Sequence, residues 1–139
     1  MFPEISYESS RKATVLCADE SSHRLFSFLH AALDGFSILL ADSAAHCISL
    51  CGSYQPDMVL LSEGLMEVDQ WSIPELLHLV SPKTTLMLTV EDPQEWRELP
   101  LFISVVVKRT DPESVISVLE KVRRERFMAR NDANDLIAM

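Results

Sequence analysis

The sequence contains little cysteine and no long apolar run. Its three cysteines, Cys17, Cys47 and Cys51, are an odd number without CxxC spacing, which argues against a disulfide framework and against a zinc ribbon. No apolar run approaches the ~20 residues needed to cross a bilayer, and no charged segment followed by an apolar one marks a secretory signal. We therefore expect a cytoplasmic protein that does not enter a membrane.

Basic side chains are also scarce. The 139 residues include 12 Lys and Arg against 21 Asp and Glu, which gives a net charge of −9 and a pI of about 4.8. A domain with this charge is repelled by phosphate backbones and by anionic lipid, so we expect no direct binding to nucleic acid or to membranes. An apolar content of 47% is sufficient for a single domain that buries about two thirds of its unfolded surface.

The most informative segment is Asp57-Met-Val-Leu-Leu-Ser62. A short apolar run of this kind is typical of a strand that is buried on both faces of a parallel sheet. Three other apolar segments also end in polar side chains, namely Asp19-Glu20, Thr89 and Lys108. Because functional groups of an α/β sheet lie beyond the carboxyl ends of its strands, we expect these side chains to share one edge.

Apolar segments that alternate with helical patterns predict a doubly wound parallel α/β sheet. The strands are predicted at 13–18, 36–41, 57–62, 84–90 and 101–107. Helices are predicted after Ser21 or Ser22 up to Gly35, from Asp42 to Gly52, around Pro74 with Leu76, Leu77 and Val80 facing inward, briefly after Asp92, and from Asp111 onward.

Residues 13 to about 125 resemble the receiver domain of two-component response regulators, which has the CheY-like, flavodoxin-like (βα)5 fold. Asp19 and Glu20 stand at the position of the family's acidic pair, Thr89 at its switch hydroxyl and Lys108 at its invariant lysine. Ser62 stands where the family has its phosphoacceptor aspartate. The resemblance implies a five-stranded parallel sheet of strand order 2-1-3-4-5.

Domain boundaries follow from the same resemblance. Residues 1–12 are expected to form a tail, 13–127 the receiver-like domain, and 128–139 a tail or a linker to an output domain. An apolar stripe and several basic residues predict that the last helix continues to about Phe127 or beyond, where it supports self-association or leads into an output domain. The polar run 131–135 predicts a frayed end for the final residues.

The serine changes the chemistry that the resemblance implies. In the family, the acidic pair and the acceptor carboxylate together hold Mg²⁺, which needs carboxylate charge. With Ser62 in place of one carboxylate, we expect Asp19 and Glu20 to be vestigial metal ligands, Mg²⁺ to bind weakly at most, and no cofactor to be required. A serine hydroxyl without a general base is a weak nucleophile, so we expect no catalytic residue and no enzyme activity. On spacing alone, Asp19-Glu20 also suits the start of a helix.

The residue after Lys108 is a second departure from the family. Most receivers have a proline there with a cis peptide bond, whereas this chain has Arg109, and a cis bond before a non-proline residue costs about 3 kcal/mol. We therefore expect a trans bond, with Lys108 as a structural counter-charge to Asp19 or Glu20. Gln70 replaces the glycine of the family's loop.

Contacts with other proteins are predicted from the last third of the chain. The helix after Thr89 is expected to be truncated by Pro100, so Trp96 either packs into the gap or is an exposed anchor for a partner, and Trp71 has the same two interpretations. The interaction candidates are Trp96, Val105 at the family's aromatic switch position, and Val115, Leu119 and Val122 of the last helix.

Three functions are compatible with these observations. The first is a phosphorylation-independent pseudo-receiver that acts as a protein-interaction or dimerisation module in signalling or transcriptional regulation. The second is a phosphorylatable receiver with an unorthodox acceptor, Glu63 or Asp69. The third is a small-ligand sensor that uses the edge vacated by the aspartate. The expected partner is another protein, an output domain of the same protein, or a second copy.

Overall fold

A computed structural model of the chain contains one parallel sheet of five strands in the order β2-β1-β3-β4-β5. The structure describes residues 12–21, 35–66 and 71–138, and only the backbone of residues 127–138. The strands are β1 Ala13–Ala18, β2 Phe36–Ala41, β3 Met58–Ser62, β4 Thr85–Val90 and β5 Ile103–Lys108. Within the described residues the α-helices are α1 Ala44–Tyr54, α2 Ser72–Val80 and α3 Pro112–Ala138.

The predicted fold class and strand order are confirmed. Strand β3 is buried along its whole length and pairs with β1 on one side and β4 on the other, as expected of a central strand with helices on both faces. The chain order of the strands reverses between β1 and β3, and ligands of such sheets bind outside the carboxyl ends at this point of reversal. Asp19 follows β1 and Ser62 ends β3, so both lie at this place.

Each face of the sheet has its own apolar core. Cys47 and Cys51 of α1 and Leu77 of α2 pack on one face together with Leu16 of β1. On the other face, Leu119 of α3 packs with residues such as Val15, Cys17, Leu60 and Met87. Alternating residues of the same strand therefore serve opposite cores, which explains why the central strands are apolar at nearly every position.

Several predicted helix boundaries and faces are wrong. Helix α1 ends at Tyr54 and not at Gly52, because Gln55 adopts the left-handed conformation with φ 47° and its side-chain amide donates hydrogen bonds to carbonyls of Cys51 and Val80. In α2 the buried residues are Ile73, Pro74 and Leu77, whereas Leu76 and Val80, which were expected to face inward, are 43% and 36% exposed.

The segment after β4 forms one 3-10 turn, Pro93–Glu95, which is shorter than the predicted two helical turns. Asp92 caps this turn by accepting a hydrogen bond from the Gln94 amide. The predicted helix between Ser21 and Gly35 and the loop position Gln70 lie outside the described residues, as do residues 1–11 of the predicted tail. None of the helices in the part of the chain that is described combines the length and apolarity needed to span a membrane.

Helix α3 runs antiparallel to the strands and reaches the amino-terminal edge of the sheet at Arg126. The Arg126 guanidinium donates to the carbonyl of Lys83 at 2.7 Å and to the Thr85 hydroxyl at 3.1 Å, and it lies 3.5 Å from the Asp57 carboxylate. The helical backbone then continues to Ala138 through the polar run 131–135, where a frayed end was expected. The predicted extension beyond Phe127 is confirmed.

Candidate functional site

Polar side chains from four strands meet at the carboxyl edge of the sheet. Asp19 and Glu20 follow β1, Ser62 ends β3, Glu91 follows β4 and Arg109 follows β5. We call these five residues the carboxyl-end cluster. Thr89, the predicted switch hydroxyl, pairs with Ser62 in the β3-β4 ladder and is buried. The sequence-based expectation that these strand ends share one edge is thus correct.

Arg109 provides the positive charge of the carboxyl-end cluster. One of its guanidinium nitrogens, Nη2, lies 2.7 Å from Asp19 Oδ1, and the other, Nη1, lies 3.1 Å from Glu20 Oε1 and 3.8 Å from Glu91 Oε1. The Asp19 side chain is only 3% exposed, so its carboxylate has protein groups in place of water as its partners. Two of them are Arg109 and the amide of Ser21, which donates to Oδ1 at 2.7 Å.

Lys108 does not have the role that was predicted for it. Its side chain is exposed, and the described ion pairs of Asp19 and Glu20 are made by Arg109. The peptide bond between Lys108 and Arg109 is trans, as expected. A lysine at the end of an apolar strand was the stronger sequence signal, whereas the forked guanidinium of the next residue is better suited to hold two carboxylates at once.

A β-bulge in β5 explains why Arg109 and not Lys108 faces the acids. Leu86 pairs with Ile103, but the next residue of β4, Met87, pairs with Val105, so β5 contains one extra residue at Ser104. An extra residue inverts the faces of every residue that follows it in the strand.

The core contacts of β5 agree with this inversion. Val105 and Val107 pack in the core beneath α3, whereas Val106 packs in the opposite core. Lys108 therefore points to the face of Val106, and Arg109 points to the face that Asp19, Ser62 and Thr89 share by alternation along their own strands. The amide of Arg109 donates to the carbonyl of Val90 at 2.8 Å, so the backbone of Arg109 is still held against the end of β4.

Ser62, at the predicted acceptor position, is completely buried. Its hydroxyl oxygen accepts a hydrogen bond from the Gly64 amide at 3.3 Å, and the hydroxyl donates to Glu20 Oε1 at a long 3.4 Å. A Cβ atom at Gly64 would lie 2.6 Å from Glu20 Oε2, so any other residue there would force the Glu20 carboxylate to shift. Ser62 thus joins Glu20 to the loop that follows β3.

Neither unorthodox acceptor is shown at the centre of the cluster. The Glu63 carboxylate accepts a hydrogen bond from the Glu91 amide at 2.8 Å, so it links the loop after β3 to the end of β4. Asp69 lies outside the described residues.

Of the predicted interaction residues, Val115 and Leu119 are buried in the core beneath α3, so they cannot contact a partner while the domain is folded. Val105 and Val122 are half-buried against the same core. Trp96 packs edge-on against Trp71 with 5.8 Å between ring centroids. Both rings also contact the other core, which agrees with the interpretation that they fill the space above the shortened segment.

The cluster does not fit the Mg²⁺ ion that the resemblance implies. Such an ion keeps several of its waters, and the carboxylates that replace the others must offer negative charge to offset the cost of removing them. Here Ser62 supplies a hydroxyl in place of one carboxylate, and the Asp19 and Glu20 oxygens are already within 3.1 Å of a guanidinium.

The cysteines are buried structural residues. Burial, together with the nearby Asp19 charge, raises the pKa of the Cys17 thiol to about 12. The Cys47 and Cys51 thiols are hydrogen-bonded to each other across one turn of α1, which raises the pKa of Cys47 and lowers that of Cys51.

Comparisons with known proteins agree with the fold. The sequence matches no family model and no curated protein. The structure is similar to the signal receiver domain of an HD domain-containing protein from Pseudomonas fluorescens, with 20% identity, a TM-score of 0.68, and coverage of 85% of this chain and 99% of that one. For a two-component transcriptional regulator AraC from Clostridium phytofermentans the identity is 14% and the TM-score 0.69, with 87% and 99% covered.

A third similar structure is the chemotaxis protein CheY4 of Vibrio cholerae, with 16% identity, a TM-score of 0.67, and coverage of 80% of this chain and 98% of that one. Identities this low establish the fold and leave the activity to be argued from the site. The chain has the CheY-like fold, and its structural neighbours are the receiver domains of response regulators.

Proposed function

We propose that this chain is a phosphorylation-independent receiver-like module that acts in signal transduction through contacts with other proteins. The observation that supports it most directly is Ser62, which ends the central strand, is fully buried, and has its hydroxyl engaged by the Gly64 amide and by Glu20. The proposal includes the absence of enzyme activity and of a required cofactor.

The chemistry of Ser62 argues against phosphotransfer. Transfer from a phosphohistidine to a carboxylate requires an exposed carboxylate oxygen, whereas a serine hydroxyl needs a general base and access for the phosphodonor. Glu20 is the nearest base, but its Oε1 atom is a long 3.4 Å from the hydroxyl and only 3.1 Å from the Arg109 guanidinium, with which it forms an ion pair.

The proposal is tested with small phosphodonors. The protein is treated with acetyl phosphate and Mg²⁺, and separately with beryllofluoride and Mg²⁺, while amide spectra and intact mass are recorded. An active receiver treated in parallel verifies the reagents. We expect neither a mass increase nor a change at amides near Ser62.

Incorporation of phosphate would overturn the proposal, and its chemistry would identify the acceptor. A hydroxylamine-labile phosphate that is lost in Glu63→Gln would identify Glu63 as an acyl-phosphate acceptor. A stable phosphate that is lost in Ser62→Ala would identify a phosphoserine.

The module is proposed to reach its partner through the continuation of α3. The helix is fixed to the sheet by Arg126 and then continues to Ala138, which corresponds to about 18 Å of helix beyond the anchor. Helix α3 already reaches the amino-terminal edge of the sheet at Arg126, so the backbone beyond this residue is not needed to cover the sheet. We propose that residues 127–138 join this domain to a second copy of the chain.

Sedimentation of the full chain and of a chain that ends at Arg126 tests this contact. We expect a dimer whose dissociation is concentration-dependent for the full chain and a monomer for the shortened one. Leu79→Ser serves as the matched control, because Leu79 is a 67% exposed apolar residue on α2 and far from α3 in the fold. A full chain that stays monomeric at high concentration, or self-association that is lost only in Leu79→Ser, contradicts the role of α3.

A further inference from the structure

We infer that Arg109 is a built-in cation that takes the place of a divalent metal ion at the carboxyl edge and holds the strand ends in one fixed arrangement. The inference rests on the proposed function in that it describes the regulation of the same site. It adds that a side chain of the protein, and not a soluble ion or phosphate, determines the positions of the strand ends and of the loops that follow them.

The contacts of the guanidinium carry the inference. Its two terminal nitrogens are divided between two carboxylates, with Nη2 at 2.7 Å from Asp19 and Nη1 at 3.1 Å from Glu20. Glu91 lies 3.8 Å away and adds a third, more exposed carboxylate. Arg109 therefore connects the end of its own strand β5 with the ends of β1 and β4, as an ion coordinated by several strands would do.

Burial makes this arrangement more than a surface ion pair. The Asp19 side chain is 3% exposed and that of Arg109 is 28% exposed, so the pair is largely removed from water. A carboxylate this deeply buried needs a counter-charge, and within the described residues the ion pairs that Asp19 makes come from Arg109.

Guanidinium and metal exclude each other at this site. Arg109 contacts Asp19 Oδ1 and Glu20 Oε1, and a Mg²⁺ ion about 2.1 Å from any oxygen of these two carboxylates would lie close to the guanidinium. Two cations at such a short separation would repel each other strongly. Binding of a divalent ion therefore requires Arg109 to leave, and the β-bulge at Ser104 keeps it directed at the acids.

As a consequence, the conformation of the carboxyl edge should not change when metal ions are added. Glu20 is held against Gly64 and Ser62 by its contact with Arg109, so the loops after β1 and β3 keep their relative positions without an ion. This differs from a site that is simply inactive, because removal of the arginine should expose a set of carboxylates with affinity for divalent cations.

Thermal unfolding and Mn²⁺ broadening of amide signals test the inference, with Arg109→Ala as the variant. Lys108→Ala is the matched control, because it removes the same charge from the adjacent, exposed position. We expect the wild-type Tm and the control Tm to be unchanged by millimolar Mg²⁺ or by a chelator. For Arg109→Ala we expect a Tm lower by roughly 5–10 °C that Mg²⁺ partly restores, because the buried Asp19 has lost its counter-charge.

Mn²⁺ should broaden amides near Asp19 and Ser62 in Arg109→Ala at concentrations at least about tenfold below those needed in the wild type, since a charged hydrogen-bonded pair must be broken first in the latter. Equal broadening in both proteins, or an Arg109→Ala protein that resembles Lys108→Ala, contradicts the inference.

If Arg109→Ala does not fold, Arg109→Gln, which removes the charge and keeps hydrogen-bonding groups, takes its place in the same measurements. The wild type alone can overturn the inference, by selective Mn²⁺ broadening at Asp19 and Ser62 at stoichiometric metal. The outcome is separate from the phosphodonor test. A wild type that binds Mn²⁺ but takes up no phosphate refutes the role of Arg109 and leaves the proposed function standing.

Discussion

Replacing Ser62 by aspartate restores the carboxylate that receivers have at this position and should destabilise this protein. The Ser62 hydroxyl is fully buried and 3.4 Å from Glu20 Oε1, so the new carboxylate would be placed beside an existing one. Ser62→Asn is the matched control, because asparagine has nearly the same shape as aspartate and carries no charge. We expect Ser62→Asp to be less stable than Ser62→Asn at pH 7.

The size of the effect follows from the distance. Two like charges about 4 Å apart repel by about 4 kcal/mol when the effective dielectric constant is about 20. Glu20 is 42% exposed and is paired with Arg109, so solvent and the guanidinium reduce this value, and we expect a difference of about 1–2 kcal/mol between the two variants. Addition of Glu20→Gln should remove most of this difference, which makes the pair a double-mutant cycle.

Urea unfolding provides the measurement, with fluorescence of the half-buried Trp71 and Trp96 as the probe. The difference should also shrink as the pH falls toward about 4. The neighbouring Glu20 charge and burial raise the pKa of the new carboxyl in the folded state above its unfolded value, so its penalty is present above the unfolded pKa and absent below it.

Equal stability of Ser62→Asp and Ser62→Asn at pH 7 would contradict this prediction, as would a difference between them that Glu20→Gln leaves unchanged. Either result would mean that the Glu20 carboxylate does not lie against the Ser62 hydroxyl in solution.

Three further predictions concern other parts of the fold. Arg126→Met should cost about 2 kcal/mol in urea unfolding, because it removes the hydrogen bond to Lys83 and the Asp57 ion pair, whereas the exposed Arg124→Met should change stability by less than about 0.5 kcal/mol. A chain that ends at Arg126 should keep its amide spectrum in the folded domain, since this anchor remains; loss of the spectrum would contradict the assignment of the anchor. Cys17 should resist thiol reagents at pH 8, because burial raises its pKa to about 12 and leaves very little thiolate. The free energy of unfolding should fall as pH rises from 9 toward 12, because the unfolded thiol ionises in this range before the folded one does. Rapid labelling of the native protein, or stability that is flat across that range, would contradict the burial of this thiol.

The sequence alone was sufficient for the sheet and for the position of Ser62. The apolar segments are long enough, and their polar ends distinct enough, that strand bounds agree with the structure to within about two residues. Side chains at the carboxyl ends of parallel strands meet at one edge, so the sequence by itself places Asp19, Glu20, Ser62 and Thr89 together. Pro100 indicated that the helix after β4 is short, but the single turn that forms there, Pro93–Glu95, is shorter than the two turns predicted.

Tertiary contacts decided the rest. Whether Lys108 or Arg109 contacts Asp19 and Glu20 depended on the β-bulge at Ser104. The bulge arises from the pairing between β4 and β5 and cannot be recognised in the sequence of β5. The outward orientation of Leu76 and the burial of Val115 depended on which neighbouring elements cover each helix face, which helical periodicity does not specify. The helical periodicity of a sequence identifies which face of a helix is apolar. Packing against the sheet then determines which residues of that face are buried.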